Sequence, residues 1–415
     1  MESLKELYRS GVGPSSSHTM GPAAIALTIK ENYPECDFVV DLYGSLSLTG
    51  KGHMTDAIMI KRFAPRPCRV NFLNESLPFH PNGMIVHVYP GGTLEGEKPV
   101  PQDAASVADI EAYSVGGGKV LFKGDLLPEP EDRYPLDSMT EILTYCRGKG
   151  ISLYDYVKAC DEPDIEEFLR GRLSEMFACV EEGLQREGRI QGALRLKRVA
   201  GDVYQQALNT HNPMERDRIF LSSYAYAVAE QNADGGEIVT APTCGASGVV
   251  PAVLYYANKQ LGIDEEALVR ALAIGGLFGN IVKTRATISG ADGGCQAEVG
   301  TACAMASAAM AYLLELNNDL IAYAAEMGLE HNLGLTCDPV GGYVQIPCIE
   351  RNAYAALRAV DSAILAKQLG YLRRNKVSFD TVVDVMRETG KDLNAAYKET
   401  SLGGLAKGYR FEEER

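Results

Sequence analysis

The chain has 415 residues, of which 46% are hydrophobic and 23% charged. At ~100–200 residues per domain this allows two or three domains, and the composition excludes a mainly disordered, collagenous or coiled-coil chain. Forty Lys and Arg against 55 Asp and Glu give a formal net charge of −15, which repels phosphate backbones and anionic membrane surfaces and argues against both as partners.

No segment reads as the ~20-residue apolar run of a membrane span, and the first ten residues lack the apolar core of a signal peptide, so a cytoplasmic protein is expected. The ten cysteines include no Cys-x-x-Cys pair. In that compartment they are expected as reduced thiols.

Strand-like runs rich in Val, Ile, Phe and Tyr occur at Asp37–Tyr43, Arg69–Leu73, Met84–Tyr89, Ile110–Val115 and Lys119–Phe122, bounded by Gly, Pro and Asn. Helical stretches lie among them near Met20–Glu31 and His53–Phe63. Leu126–Leu136, with three prolines and acidic residues between them, has linker character. Beyond it the strand signal fades. Apolar residues recur at helical spacing from Ile165 to Leu184; Asp264 and Ser378 are placed to cap helices; Ala302–Leu313 and Ala353–Leu369 suggest helices packed closely through small side chains. The expected fold is multidomain α+β: an N-terminal α+β domain over 1–135, a connecting segment over 136–162, and an all-α domain over 163–415.

Four segments in the helical region are Gly- and Pro-rich yet nearly uncharged: Ala241–Gly248, Ser289–Gln296, Thr336–Gly342 and Ile346–Cys348. Loops in solvent are usually charged. Uncharged Gly-rich loops between buried helices suggest backbone packed against a ligand, although tight helix–helix turns have the same composition. Each segment contains a cysteine. Cys295, Cys337 and Cys348 each have Gly or Pro within two positions, as ligands set in irregular backbone would. Three such thiolates could hold zinc with a fourth ligand or three corners of a [4Fe–4S] cluster; equally, they could be inert buried thiols. Cys303, inside an Ala-rich helix, reads as core packing, and Cys36, Cys68, Cys146, Cys160 and Cys179 as structural.

Histidine is scarce, with six in the chain, and two stand in unusual surroundings. His18 follows three serines in Gly13–Thr19, a run of hydroxyls entering a helix that can bind a carboxylate or serve as an ordinary cap. His53 follows Gly50-Lys-Gly52 near a helix start, where a neutral imidazole can act as a general base.

Taken together, Gly11–Thr19, Gly50–Asp56, Phe79–Met84, Ala241–Gly248, Gly294–Gly300, His331–Gly342 and Ile346–Asn352 resemble, in order, the motifs of the iron–sulfur L-serine dehydratases, over a match reaching to about residue 405. The chain is similar to the single-chain form with fused β and α parts. The resemblance implies an N-terminal domain like the allosteric substrate-binding domains of some dehydrogenases and an all-α catalytic domain. It implies a [4Fe–4S] cluster on Cys295, Cys337 and Cys348, with the fourth iron left for substrate. The family often has Asn where this chain has Cys244. No cysteine follows Cys348.

The implied reaction is loss of water from L-serine, giving pyruvate and ammonia. An open iron is a Lewis acid for the leaving hydroxyl. His53 is the expected base and His18 the alternative. Ser16, Ser17 and Thr19, with Thr243 and Ser247 of the Ala241–Gly248 loop, are expected to hold the substrate; Lys283 or Arg285 could add positive charge. With bases and cysteines in different domains, a site at the domain interface is expected, in a protein expected to be a homodimer. The rival readings are a cysteine β-lyase, a non-enzymatic amino-acid or redox sensor, and pyridoxal phosphate chemistry.

Overall fold

The computed structural model describes residues 1–96, 98–101, 104–125, 131–400 and 403–410. The chain divides into two compact units, one formed by residues 12–129 and the other by residues 1–11 together with 130–415. The first five residues of the expected linker Leu126–Leu136 lie outside the described residues.

After a short strand β1 (Ser10–Val12), the smaller unit contains helices α1 (Gly21–Asn32), α2 (Gly44–Thr49) and α3 (Thr55–Phe63) and strands β2 (Asp37–Leu42), β3 (Cys68–Phe72), β4 (Gly83–Tyr89), β5 (Ala108–Gly116) and β6 (Lys119–Phe122). The five strands β2–β6 form one sheet in the order β3-β2-β4-β5-β6. Only β2 and β3 run parallel, with Val40 opposite Val70, and α2 and α3 supply the crossover that parallel pairing requires. Period-two alternation sends Phe38, Val40 and Leu42 to one face, where they join Met84, Val86 and Val88 against Ile25 and Ile29 of α1 and Met59 and Phe63 of α3. The Phe38 and Phe63 rings stack at 3.9 Å. Each of these buried side chains contributes roughly 1.5–3 kcal/mol, which fixes α3 and therefore the loop that enters it.

The larger unit holds α4 (Met139–Lys149), α5 (Leu153–Cys160), α6 (Ile165–Gln185), α7 (Ala200–Asn209), α8 (Pro213–Ala233), strand β7 (Glu237–Val239), α9 (Val249–Leu261), α10 (Glu265–Arg285), α11 (Gly290–Gly293), α12 (Thr301–Leu313), α13 (Asn318–Glu330), α14 (Cys348–Leu369), α15 (Phe379–Asp392) and α16 (Gly404–Gly408). It is not purely helical as expected, because β7 pairs with β1 and the Thr240 N–H donates to the Arg9 carbonyl at 2.9 Å. The segment expected as a connection carries α4 and α5. Ser138 caps the first, and Ser152 with Asp155 forms a capping box on the second. Asp264 and Ser378 cap α10 and α15 as expected.

Helix α12 is central and packs against α9, α10, α13 and α14. Its residues from Thr301 to Ala311 are all buried. Small side chains permit this: a Cβ at Gly275 of α10 would stand 2.8 Å from the Met305 carbonyl oxygen. Helix α10 is, by length and composition, apolar enough to cross a membrane, contrary to the reading of the sequence. Its apolar window is 78% buried inside the protein, as befits a core helix.

Candidate active site and cluster ligands

In the smaller unit the hydroxyl-rich loop folds as a single wide turn, Ser16–Met20, running directly into α1. The Ser15 side chain caps it, accepting from the His18 N–H at 3.2 Å. His18 is thereby buried, with Nδ1 at 2.8 Å from the Ser17 hydroxyl and Nε2 at 3.0 Å from the Ser45 hydroxyl. His53 lies in the turn between α2 and α3, just before Met54, whose φ of 59° is left-handed. The two loops are stitched together. The Thr19 hydroxyl donates to the His53 carbonyl at 2.7 Å, and the Thr55 hydroxyl donates to the His18 carbonyl at 2.6 Å. The imidazole centroids are 4.7 Å apart.

Burial pushes the His53 imidazole down to about 4, and burial with the neighbouring His53 ring pushes His18 well below its usual range. Both rings are therefore neutral near pH 7. His53 Nδ1 stands 3.2 Å from the Thr49 carbonyl. A carbonyl only accepts, so Nδ1 carries the hydrogen and Nε2 the lone pair. His18 has hydroxyls on both nitrogens, which fix no tautomer. Of the expected substrate contacts here, Ser16 and Ser17 are partly exposed, whereas Thr19 is buried and holds the loops together.

In the larger unit Cys295 immediately precedes a wide turn, Gln296–Gly300, that leads into α12; Cys337 lies in irregular backbone; Cys348 opens α14. Fixed elements bind these segments to one another. The Gln296 side chain accepts from the Gly334 N–H at 2.9 Å and donates to the Gly293 carbonyl at 2.9 Å. The Asn352 amide donates to the carbonyls of Gly245 and Cys348, each at 2.8 Å, tying the Ala241–Gly248 loop to α14.

The three thiols lie near enough to influence one another. Burial, Glu298 and Cys295 raise Cys337 well above its usual range, and burial followed by Cys295 raises Cys348. Burial pushes Cys295 up to about 11, opposed by the Arg351 guanidinium. Arg351 also donates to the Thr336 carbonyl at 2.6 Å. Glu298 stands 3.8 Å from Cys337 Sγ and accepts from the Thr243 hydroxyl at 2.9 Å. A Cβ at Gly290 would meet Glu298 Oε2 at 2.5 Å and Cys337 Sγ at 3.2 Å, so that position leaves no room for a side chain. The Ser247 hydroxyl is buried with no hydrogen-bond partner among the described residues.

Among the described residues no three His, Cys, Asp or Glu side chains come close enough to hold a single ion; in a tetrahedral zinc site with bonds of ~2.3 Å the thiolates would stand only about 3.8 Å apart. The donor set is three buried thiols with Gly290 and Arg351 beside them, a chemistry that suits iron–sulfur ligation. Lys283 pairs with Glu2 at 2.6 Å and Arg285 with Asp384 at 3.3 Å; the cation at the thiols is Arg351. Arg351 and Glu298 each stand three positions after one of these cysteines, one helical turn on. A charged residue so placed in a nearly uncharged segment is the signal that would have found them. Cys303 is core, with Sγ 3.4 Å from the Ala355 carbonyl, and Cys244 is buried in its loop.

A helical unit that carries three buried thiols is thus joined in one chain to a unit that carries two buried, neutral histidines. The serine dehydratase beta chain model matches residues 3–65, and the alpha chain model matches residues 99–406. The chain is 38% identical to L-serine dehydratase 1 of Escherichia coli over 98% of this chain and 99% of the relative. It is 38% identical to L-serine dehydratase of Streptomyces coelicolor, over 97% and 98%, and 36% identical to that of Helicobacter pylori, over 98% of each. The chain belongs to the iron–sulfur L-serine dehydratase family, with the beta and alpha parts fused.

Proposed function

We propose that the chain is an L-serine ammonia-lyase, which removes water from L-serine to give pyruvate and ammonia. The observation that carries this reading is the gathering of Cys295, Cys337 and Cys348 around Glu298 and Arg351 in a chain of this family. These three cysteines would hold a [4Fe–4S] cluster, which supplies a Lewis acid for the departing hydroxyl.

The rest of the work falls to side chains. His53 Nε2 takes the α-proton. Its Nδ1–H is held by the Thr49 carbonyl, so the ring keeps its lone pair on the other nitrogen. With the imidazole pushed down to about 4, the base is unprotonated throughout the neutral range. His18 packs against His53, and Thr19 fixes the His53 backbone. Ser16 and Ser17 of the smaller unit are assigned to the substrate carboxylate, and Thr243 and Ser247 to substrate contacts of the larger unit. The electron pair of the broken Cα–H bond forms the Cα=Cβ bond as the Cβ–O bond breaks, and the departing hydroxide together with the proton taken by His53 makes up the water released. The enamine so formed becomes an imine, whose hydrolysis gives the two products.

The test is anaerobic reconstitution with iron and sulfide, followed by an absorbance spectrum, iron and sulfide counts, and pyruvate assays with L-serine, L-threonine and L-cysteine. A brown protein with about four irons that acts on L-serine is expected. A colourless protein of full activity would overturn the cluster reading. Preference for L-cysteine would reassign the chain as a β-lyase for a thiol leaving group.

A further inference from the structure

Two of the three cysteines are held by helices. Cys295 adjoins the turn that leads into α12, and Cys348 is the first residue of α14. Cys337 has no helix of its own. Its backbone is held instead by residues some sixty positions later. The Cys337 N–H donates to the Tyr397 carbonyl at 2.8 Å, and its carbonyl accepts from the Thr400 N–H at 3.2 Å.

The next residue extends the attachment. Asp338 is buried, and its Oδ2 accepts from the Leu405 N–H at 2.7 Å while its Oδ1 accepts from the Thr336 hydroxyl at 2.8 Å. Leu405 is the second residue of α16, so the carboxylate caps that helix from another part of the chain. The fit leaves no space. Gly404 has φ of 52°, and a Cβ there would overlap the Asp338 carboxylate; a Cβ at Gly403 would overlap the Ala396 carbonyl. Burial without its amide partner would leave the Asp338 carboxylate short of a charge-assisted hydrogen bond, so the contact is tight in both directions.

We infer that residues 395–400 and 403–408 form a clamp that holds Cys337 in its ligand position, with Asp338 and Gly404 as its latch. Both are positioning residues, and the inference rests on Cys337 being a cluster ligand. A thiolate on irregular backbone, once released, leaves two protein ligands to retain the cluster. Residues that orient a metal ligand from behind are worth about 10–100-fold in metal affinity.

The experiment uses the full chain, reconstituted anaerobically, with Asp338→Asn and Gly404→Ala, and Gly408→Ala as control. At Gly408 a Cβ would meet nothing within 4 Å. Iron release to an excess of chelator is followed by loss of cluster absorbance. Hydrogen exchange at the Cys337 and Thr400 amides is measured on the cluster-free protein. Both latch variants are expected to release iron about 10–100-fold faster than the parent, with faster exchange at those two amides and unchanged helical content. Gly408→Ala should behave as the parent. Parental release rates in Asp338→Asn and Gly404→Ala would overturn the clamp, as would equally fast release from Gly408→Ala. Should Gly404→Ala not fold, Asp338→Asn alone decides, because it keeps the side chain's size and removes one acceptor. A parent that takes up no iron would remove the cluster reading itself, a failure seen before any variant is compared.

Discussion

The Thr19 hydroxyl donates to the carbonyl of His53 at 2.7 Å, which ties the serine-rich loop to the glycine-rich turn with their imidazoles 4.7 Å apart. Burial at that junction sets the pH behaviour. The His53 imidazole is held at about 4, against ~6.5 for an unperturbed imidazole. A lowered value means that the unfolded chain binds the proton more readily than the folded one. The stability this ring contributes is thus full above about pH 6.5 and is lost as pH falls towards 4. The same shift keeps the base unprotonated, so kcat/KM for L-serine should show no acid limb near pH 6.5. A limb between about pH 4 and 5 is expected. A limb at 6.5 in the pH–rate profile would mean that a different group is the base.

Replacing His53 tests the proposed base apart from its neighbour His18. His53→Ala should retain iron and bind L-serine, yet lose ~10²–10⁴-fold in turnover. His18→Ala removes a packed ring that touches His53 and two hydroxyls, so a smaller loss is expected. Exchange of the α-deuterium of labelled L-serine with solvent reports proton removal directly. Its disappearance in His53→Ala but not in His18→Ala is the expected pattern. The reverse would exchange the two assignments.

The legible parts of this protein are those in which a local signal carries the structure. The five sheet strands follow from alternating Val, Ile and Phe, and the starts of α10 and α15 from Asp264 and Ser378. The cysteine loops stand out because Gly and Pro replace the charges that solvent loops carry. What was not legible depends on pairing between distant segments. Strand β7 has three residues and exists because Arg9 and Thr240 exchange hydrogen bonds, which no local pattern announces. Likewise, the first residues join the helical unit because Asp161 accepts from Ser3 and from the Leu4 N–H. Arg351 was hidden for a different reason. Lys283 and Arg285 lay closer in sequence to the Cys295 loop, and only the fold reveals that both are committed to carboxylates elsewhere.

Each of the three cysteines should be needed for iron, because the proposed cluster has no thiol to spare among them and Cys303 is turned into the core. Ser in place of Cys295, Cys337 or Cys348 is expected to abolish cluster absorbance and activity together. Cys179→Ser, in a helix of the same unit, should leave both at parental levels. A brown, active Cys337→Ser variant would remove that residue from the ligand set.

Arg351 has two tasks that only a guanidinium performs together. It donates to the Thr336 carbonyl at 2.6 Å, one residue before Cys337, and it opposes the upward push of burial on the Cys295 thiol. Lysine keeps the charge but loses the planar fork. Arg351→Lys is therefore expected to weaken iron retention by about 10–100-fold, while the cluster-free protein keeps its helical content. Equal iron release by parent and variant, measured against the same chelator, would leave Arg351 with a structural role only.

On the proposed reading, three thiolates on a four-iron cluster would leave one iron without a protein ligand, open to oxidants as well as to substrate. Exposure to air should therefore bleach the reconstituted protein and end pyruvate formation in parallel. Ferrous iron with a thiol reductant, added anaerobically, should restore part of both. L-Serine present throughout is expected to slow the bleaching. His53→Ala provides the internal control: it should bleach in air at the parental rate although it turns over little, because the loss belongs to the cysteine site and not to the base. Activity that survives prolonged air and a chelator, in a protein that has lost its absorbance, would separate the reaction from the cluster. Bleaching of His53→Ala at a much lower rate than the parent would instead tie the loss to turnover.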